Sequence, residues 1–515
     1  MKQTKNQTGK KEKNDELCRR EFVKLSAITA GTLFGTQCLP GLEKTANAYD
    51  WKPVSYPRTV LHNFRLFDNT HGQLRDDQLL IIEGERIKGI ESLGSLDTLK
   101  GYQKIDMGGR TLLPGFIDNH VHITVPFMYD VNLSVFSQMN DQIELNFRNC
   151  IMNGVTTVRD VGGFPGKINK FRDKADRNEI PGPRVISSLS PIAARQEDML
   201  GAPEKAPYFT NPVIKWFLGG NYAERPTNVQ EINNACDEMI EKGAQWLKTL
   251  HQDQSYSYFA RKLPNHTDEG YLAILKKGEQ KGLKCALHEP FVSGFQKGIT
   301  LGFQTLEHMP HDDIIPDADI ETFIKKEMAI LPTILVYWDV AIEEKLLSMI
   351  KSHGESLLMP EAIQQMTAKL KSSIDLQSKT LSESERRKLQ FDPWYMMDKL
   401  PNMKANLQKL HKMGATIGIG TDLGGAYAAF FGRYTDELKH FAAAGISNFD
   451  ILCKATSINA KIIDRQNDIG TLQKGKLADI IAVQGNPLLD LAVLDTIDMV
   501  MKGGHFIKAE GINHG

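Results

Sequence analysis

The chain has 515 residues, of which 41% are hydrophobic and 24% are charged, and its formal net charge is −1. This composition is typical of a globular protein with a large core, and it excludes a small scaffold built on disulfides or zinc. The balance of 62 basic and 63 acidic residues provides no basic surface that would bind nucleic acid through charge. None of the six cysteines forms a C-x-x-C pair, so we expect buried thiols.

Residues 1–48 predict an export signal. A lysine-rich start leads to Arg19-Arg20, a short apolar run at residues 25–34 and the small residues Ala46-Asn47-Ala48. The run is too short to cross a bilayer core of about 30 Å as a helix. Because paired arginines indicate the twin-arginine route, we expect a bacterial protein that the twin-arginine export machinery delivers to the periplasm or outside the cell.

Both ends of the remaining chain have the pattern of antiparallel strands. Short alternating segments broken by Asn, Asp and Gly fill residues 49–113, and similar runs follow in residues 465–515. We expect these two parts to pair into one composite β-sandwich. Residues 114–464 then form an insertion between its two halves.

Residues 114–464 alternate short apolar runs with helical patterns, which predicts an α/β fold. The number of strands matches a (β/α)₈ TIM barrel, whose active site lies at the carboxyl ends of the strands. A polar, helix-prone segment at residues 338–400 is predicted to be a helical insertion. The eight predicted strands start at Phe116, Val155, Arg184, Trp246, Lys284, Thr305, Ile330 and Thr416.

Four histidines lie at the ends of predicted strands. His120 and His122 are two residues apart, so both imidazoles can face the same ion. His288 and His308 each close a later strand and are separated by a helix-length segment. A single histidine of this kind is more often an ordinary polar residue, but four at strand ends favour a divalent metal site.

Asp422 and Lys248 are the other candidates for chemistry. Asp422 closes the last strand between glycines, where its carboxylate could bind a metal and carry a proton, or cap a turn or helix. Lys248 lies inside an apolar strand, where a buried cation is costly. It could reach solvent, act as a nucleophile, or be carbamylated by CO₂ into an anionic bridge between two metals. Spacing alone does not choose among these.

Several segments together resemble the metal-dependent amidohydrolase superfamily, in order and over nearly the whole chain after the signal. They are residues 116–122, 154–160, 180–185, 420–422, 455–460 and 469–479. The imidazolonepropionase-like and Xaa-Pro or Xaa-Arg dipeptidase-like branch is the most similar. The resemblance implies a distorted TIM barrel with a composite β-sandwich, and a homo-oligomer.

The resemblance also implies roles for the candidate residues. The implied ligands of two divalent metal ions, with zinc expected, are His120, His122, Lys248, His288, His308 and Asp422. The first two histidines would hold one ion and the last two the other, with carbamylated Lys248 as the bridge. Asp422 would be the general base for a hydroxide between the metals, which attacks the carbonyl of a C–N bond.

The predicted substrate is small, such as a dipeptide or an N-acyl amino acid. Five residues are candidate substrate contacts because of their charge and their placement in the sequence: Arg195, His251, His311, Arg433 and Tyr434. These are less well specified than the metal ligands, because relatives often carry a Gly-Gly-His element where this chain has residues 188–195.

Three alternatives remain at the level of sequence. A cyclic amidohydrolase of the imidazolonepropionase type would use one metal, but such enzymes usually lack a lysine at the position of Lys248. A lactonase or phosphotriesterase would use the same hydroxide on another electrophile. A barrel that has lost catalysis and serves in binding or assembly would be expected to lack ligands, whereas all six positions are filled.

Overall fold

The computed structural model describes residues 51–125, 133–194, 223–377, 382–386, 392–424 and 430–512. The predicted export signal and Arg195 lie outside these residues. Among the described helices, none is both long enough and apolar enough to cross a membrane. The cysteines in the described ranges are buried free thiols, as predicted: Cys150, Cys236, Cys285 and Cys453.

The strands follow one another in two groups at the ends of the chain and one in the middle. Those of the first end are β1 (Val54–Ser55), β2 (Arg58–Asp68), β3 (Gln73–Arg75), β4 (Gln78–Glu83), β5 (Arg86–Ser92) and β6 (Gln103–Pro114). Those of the middle are β7 (Phe116–Val121), β8 (Val155–Asp160), β9 (Arg184–Ser187), β10 (Trp246–Leu250), β11 (Lys284–His288), β12 (Thr305–Glu307), β13 (Ala329–Leu331) and β14 (Thr416–Ile417). The second end contributes β15 (Ile480–Val483), β16 (Met499–Lys502) and β17 (His505–Ala509).

The α-helices lie between the strands of the middle group and after the last of them. They span Leu133–Met152, Pro165–Asp176, Val229–Glu241, Asp268–Lys281, Val292–Leu301, Asp317–Lys325, Ile334–Ala341, Glu343–Leu357, Pro360–Gln377, Glu383–Arg386, Pro393–Lys412, Tyr434–Ala443, Asn448–Cys453 and Asn459–Ile462.

Both ends of the chain contribute to one nine-stranded sheet. Its order is β1-β17-β16-β15-β6-β2-β4-β5, with β3 paired to β2. Ile480 of β15 lies opposite Pro114 of β6, and Val54 of β1 lies opposite Phe506 of β17. Apolar side chains from both ends form a separate core around Leu61. The predicted pairing of the ends is therefore observed as one continuous hydrogen-bonded sheet, whereas its folding into the two layers of a β-sandwich stays a prediction.

The eight predicted strands of the middle region form two parallel sheets. One has the order β7-β8-β9 and the other β10-β11-β12-β13-β14. Single parallel bridges connect them, from Ile192 to Thr249 and from Val121 to Leu423. The α/β class with eight strands is thus confirmed, whereas closure into a barrel stays a prediction.

The last of these strands approaches the first because of a glycine and an asparagine. A Cβ atom on Gly420 would lie 2.6 Å from the Cβ of His120, so only glycine fits there. Asn459 donates from Nδ2 to the carbonyls of Ile117 and Ile419 at 2.6 and 2.8 Å. Its Oδ1 accepts from the Ile419 N–H at 3.0 Å. These contacts bring the segment that carries Asp422 beside the end of β7.

The segment predicted as an insertion, residues 338–400, is helical over most of its described part. It packs on the helix Leu133–Met152, where Asn149 donates to the carbonyl of Leu357 at 3.0 Å and the Met359 N–H donates to Gln142 at 2.7 Å. The segment is therefore anchored on the helix that connects β7 and β8. The exact domain boundaries remain predictions.

Candidate metal centre and active site

The first histidine pair lies against Asp422. Nε2 of His122 is 3.1 Å from Oδ1 of Asp422, and Nε2 of His120 is 3.4 Å from the same oxygen. Ligand atoms of all three residues lie within 4.8 Å of one another. The Asp422 N–H also donates to the carbonyl of His120 at 2.7 Å, which fixes the two segments against each other.

The second histidine pair lies next to the first. The ring centroid of His308 is 4.9 Å from that of His120 and 4.3 Å from that of His288. Nδ1 of His308 is 4.0 Å from Oδ2 of Asp422. The structure thus brings together the four histidines and the carboxylate that the sequence predicted at strand ends.

Lys248 points into the same region from β10. Its register partner on β11 is Ala286, two residues before His288. The side chain is buried, and Nζ has no hydrogen-bond partner. Burial lowers the pKa of Lys248 to about 8, against the opposing effect of the Glu307 charge. At this pKa about a tenth of the Lys248 side chains are neutral amine at pH 7, and this is the form that reacts with CO₂.

The protonation states of the candidate metal ligands suit metal binding. Burial lowers the pKa of both His288 and His308 well below the ordinary value, so their imidazoles are neutral. Burial would raise the pKa of Asp422, but His120 and His122 outweigh it and hold that pKa well below its ordinary value. Neutral imidazoles and an ionised carboxylate are the forms that bind metals.

Two residues of the cluster have an unusual backbone. His308 has a φ of 83° and Asp422 a φ of 57°, both in the left-handed region that residues other than glycine rarely occupy. Hydrogen bonds from the His308 N–H to Leu331 and from the Asp422 N–H to His120 hold these conformations. Strain of this kind is concentrated at functional sites, where it aims side chains.

The residues present fit a divalent metal ion. Nε2 of His120 and Nζ of Lys248 are buried and without a hydrogen bond. Such atoms are costly unless a partner satisfies them. Imidazole nitrogens together with a carboxylate are a typical donor set for zinc, and carbamylation would convert Lys248 into an oxygen donor.

Glu307, which the sequence analysis did not single out, orients His120. Its Oε2 lies 2.6 Å from Nδ1 of His120. Arg159 donates to both oxygens of Glu307 at 2.7 and 2.8 Å, and Thr305 donates its hydroxyl at 2.6 Å. Burial would raise the pKa of Glu307, but the guanidinium of Arg159 and then His120 hold it well below the ordinary value. The carboxylate thereby places a proton on Nδ1 and leaves Nε2 for a metal.

The other three histidines are held in the same manner by neutral partners. His122 Nδ1 lies 2.7 Å from the carbonyl oxygen of Gly162. His308 Nδ1 lies 2.7 Å from the hydroxyl of Thr333, and His288 Nε2 lies 3.1 Å from Oε1 of Gln252. In each imidazole, therefore, one nitrogen contacts a partner that fixes the orientation of the ring. Sequence spacing gave no signal for these partners, since the contact of His120 with Glu307 spans 187 residues.

Replacing Glu307 by glutamine is expected to weaken metal binding about 10- to 100-fold, because His120 loses the charge that fixes its tautomer. Competition with a chelator measures the affinity. Asp479→Asn is the matched control, since Asp479 is a buried carboxylate paired with Arg184 at 2.8 Å in another part of the fold. Unchanged affinity in Glu307→Gln would show that Glu307 does not orient a ligand.

Arg433 and Tyr434, predicted as substrate contacts, form hydrogen bonds with other groups of the protein. Arg433 donates to the two oxygens of Asp339 at 2.6 and 2.9 Å and to Asp436 at 3.1 Å. The hydroxyl of Tyr434 donates to the carbonyl of Ile117 at 2.9 Å. Both side chains are buried. These contacts lie within the protein, and a contact of either residue with substrate stays a prediction.

Arg433→Met is expected to cost about 3–5 kcal/mol of unfolding free energy, because it leaves the Asp339 carboxylate buried without its partner. Denaturant unfolding measures this loss. The double variant Arg433→Met with Asp339→Leu should recover part of it, since both charges are then gone. A raised KM at wild-type stability would instead support the original prediction that Arg433 binds substrate.

His251 and His311 lie closer to the cluster. The His251 N–H donates to the carbonyl of His288 at 2.9 Å, and His251 Nδ1 lies 3.1 Å from the hydroxyl of Tyr271. His311 is fully buried, and burial lowers its pKa to about 3. Contact of either residue with substrate stays a prediction, as it does for Arg195, which lies outside the described residues.

His311 is the centre of a group of rings that we call the aromatic cluster. Its ring centroid lies 4.9 to 5.7 Å from those of the four other members. The members of the cluster are Tyr256, Phe291, His311, Tyr337 and Tyr395. Tyr337 also lies 5.8 Å from the ring of His308, so the aromatic cluster borders the metal centre.

Comparison with known sequences assigns the chain to a protein family. Residues 111–507 match the sequence profile of the amidohydrolase family. The chain belongs to the amidohydrolase family. The matched range includes both parallel sheets and the whole candidate metal centre, so the resemblance seen in the motifs is confirmed. An ochratoxinase from Aspergillus niger is 25% identical over 422 residues, which cover 78% of this chain and 76% of the relative.

Solved structures share the fold. A Xaa-Pro dipeptidase with bound methionine aligns with a TM-score of 0.66 at 20% identity, covering 87% of this chain and 99% of the other. A prolidase in complex with N-methylphosphonate-L-proline aligns at 0.65 and 22%, covering 88% and 100%. The A. niger ochratoxinase structure aligns at 0.64 and 20%, covering 88% and 96%. This amidohydrolase is an enzyme that hydrolyses carbon–nitrogen bonds.

Proposed function

We propose that this amidohydrolase is metal-dependent and cleaves the amide bond of a small substrate, such as a dipeptide or an N-acyl amino acid. The convergence of four histidines and Asp422, with Lys248 of β10 beside them, carries the proposal. The structural neighbours that are named dipeptidase and prolidase, together with the ochratoxinase, support amide substrates.

We further propose that the eight parallel strands close into a distorted barrel. The bridges at Ile192 and Val121 support closure at both junctions between the sheets. The His122 N–H also donates to the carbonyl of Leu423 at 2.8 Å, and the Ile192 N–H donates to that of Lys248 at 2.8 Å. A closed barrel explains why residues from five different strand ends meet at one face.

The proposed metal centre holds two divalent ions, with zinc expected. His120 and His122 would hold one ion with Asp422, and His288 and His308 would hold the other. The neutral amine of Lys248 would form a bond to the carbon of CO₂ and release one proton. The resulting carbamate carries one negative charge and two oxygens, which is what a bridge between two cations requires.

The chemistry then depends on Asp422. When bound, the metals would polarise the substrate carbonyl and lower the pKa of a water molecule. Asp422 accepts the proton as the water oxygen bonds to the carbonyl carbon, and donates it to the nitrogen as the C–N bond breaks. The products are a carboxylate and an amine. The low pKa of Asp422 keeps it ready to accept that proton at neutral pH.

A pooled library of dipeptides and N-acyl amino acids, with ochratoxin added, tests this function. The protein is purified with zinc and bicarbonate, and cleavage is read by mass spectrometry beside an Asp422→Asn control. Cleavage that the control lacks would support the proposal and identify the preferred side chains. No cleavage by a protein that holds about two metals per chain would contradict it, and would favour cyclic amides or lactones.

We also propose that residues 1–48 direct export through the twin-arginine machinery and that the enzyme is a homo-oligomer in the periplasm or outside the cell. The paired arginines at positions 19 and 20 carry the first part. Fractionation of cells that express the full chain, with Arg19→Lys and Arg20→Lys together as the control, tests it.

A further inference from the structure

The helix Ile334–Ala341 begins in an unusual way. The residue before it, Thr333, has a φ of 48°, in the left-handed region that a β-branched residue rarely adopts. A threonine at this position ordinarily has an extended backbone, and its hydroxyl accepts a hydrogen bond from the helix. The Thr333 hydroxyl makes no such bond and lies 2.7 Å from Nδ1 of His308. The contact with His308 is therefore held against the local preference of Thr333.

Glu437 makes the capping contacts that Thr333 does not make. It lies on the helix Tyr434–Ala443, and its side chain is fully buried. Oε1 accepts from the Ile334 N–H at 3.0 Å, and Oε2 accepts from the Leu335 N–H at 2.7 Å. The first N–H groups of a helix have no partner inside the helix, and it is costly to bury them unpaired. Because Glu437 satisfies two of them, the Thr333 hydroxyl can contact His308.

The capping contacts do not depend on the charge of Glu437. Burial raises the pKa of Glu437 to about 8, although the N–H groups of Leu335 and Ile334 act to lower it. A carboxyl group accepts hydrogen bonds with its oxygens in both the ionised and the neutral form. The acceptor positions, and not a net charge, are what the start of the helix requires.

The segment before this helix also holds the backbone and the ring of His308. The His308 N–H donates to the carbonyl of Leu331, two residues before Thr333, at 2.8 Å. The ring of Tyr337, about one turn into the helix, lies 5.8 Å from the ring of His308. A change in how the helix begins would therefore act on His308 directly.

We propose that Glu437 is a positioning residue of the metal centre, which caps the helix Ile334–Ala341 in place of Thr333 and so keeps the Thr333 hydroxyl on His308. The inference rests on the proposed function, in which His308 binds a metal ion. The effect of Glu437 reaches the metal centre through Thr333. Without Glu437, Thr333 returns to an extended backbone and caps the helix itself, and the ring of His308 loses the partner that orients it.

Zinc affinity, measured by competition with a chelator, tests the inference. Thr333→Val keeps the shape and the backbone preference of threonine and removes only the hydroxyl, so we expect binding to weaken about tenfold or more. Thr333→Ser keeps the hydroxyl and should stay close to the wild type. In Glu437→Gln the amide has one acceptor oxygen, and its NH₂ group faces the second N–H, so we again expect about tenfold weaker binding.

A double variant and a matched control separate positioning from a general loss of packing. If Glu437 acts through Thr333, adding Glu437→Gln to Thr333→Val should weaken zinc binding no further. The control is Arg433→Met together with Asp339→Leu, which removes another contact between the same two helices. It should keep the wild-type zinc affinity.

Each outcome decides the inference. Unchanged zinc affinity in Glu437→Gln overturns it and leaves the proposed function standing. An additive loss in the double variant, or an equal loss in the control, also overturns it, since either result would indicate a general loosening of the fold. If no amide is cleaved while the expected affinities are found, the proposed function fails and the positioning role of Glu437 stands.

Discussion

Lys248→Met is expected to lower kcat/KM by about 10³-fold or more and to reduce the bound metal below two ions per chain. Methionine keeps the apolar volume of the lysine stem in a buried strand, so the protein should still fold. What is lost is Nζ, the atom that would carry the carbamate. Without that bridge the two histidine pairs no longer share an anionic ligand, and the second ion should bind weakly.

Metal analysis and steady-state kinetics on the same preparation measure both effects. Lys454→Met is the matched control, because Lys454 is also buried but lies in the helical turn Lys454–Ile458 outside the metal centre. It should keep the wild-type metal content. A Lys248→Met protein with two bound ions and wild-type activity would contradict the proposed bridge.

Asp422→Asn is expected to lower kcat by about 10²- to 10⁴-fold, because the amide cannot take up the proton that the mechanism moves. The four histidines and Lys248 remain, so most of the metal should stay bound. The loss should therefore fall mainly on kcat. Asp479→Asn replaces another buried carboxylate by its amide and should leave kcat close to the wild type. An Asp422→Asn enzyme with undiminished kcat would show that another group moves the proton.

The sequence predicted the frame of this site well, for a physical reason. Strands and their ends are visible as apolar runs that stop at polar residues, and parallel strands bring their carboxyl ends to one face. His120, His122, His288, His308 and Asp422 were therefore expected to meet, and they do. The pairing of the two chain ends followed from the same kind of local pattern.

The partners of these residues could not be predicted in this way. Glu307 stands beside His308 in sequence, yet its carboxylate orients His120. Arg433 was predicted as a substrate contact, and its guanidinium donates hydrogen bonds to Asp339, which is 94 residues away. Contacts of this length depend on how the whole fold packs. A search for a carboxylate partner of each ligating histidine is the one general rule that would have drawn attention to Glu307.

The central claim is that the histidine cluster holds metal ions on which amide hydrolysis depends. The most direct test is hydrolysis of one identified substrate, measured against the number of zinc ions bound per chain after complete removal by a chelator. We expect no activity in the metal-free enzyme and a return of activity that levels off at about two ions per chain. A metal-free preparation that keeps the full rate would contradict the claim.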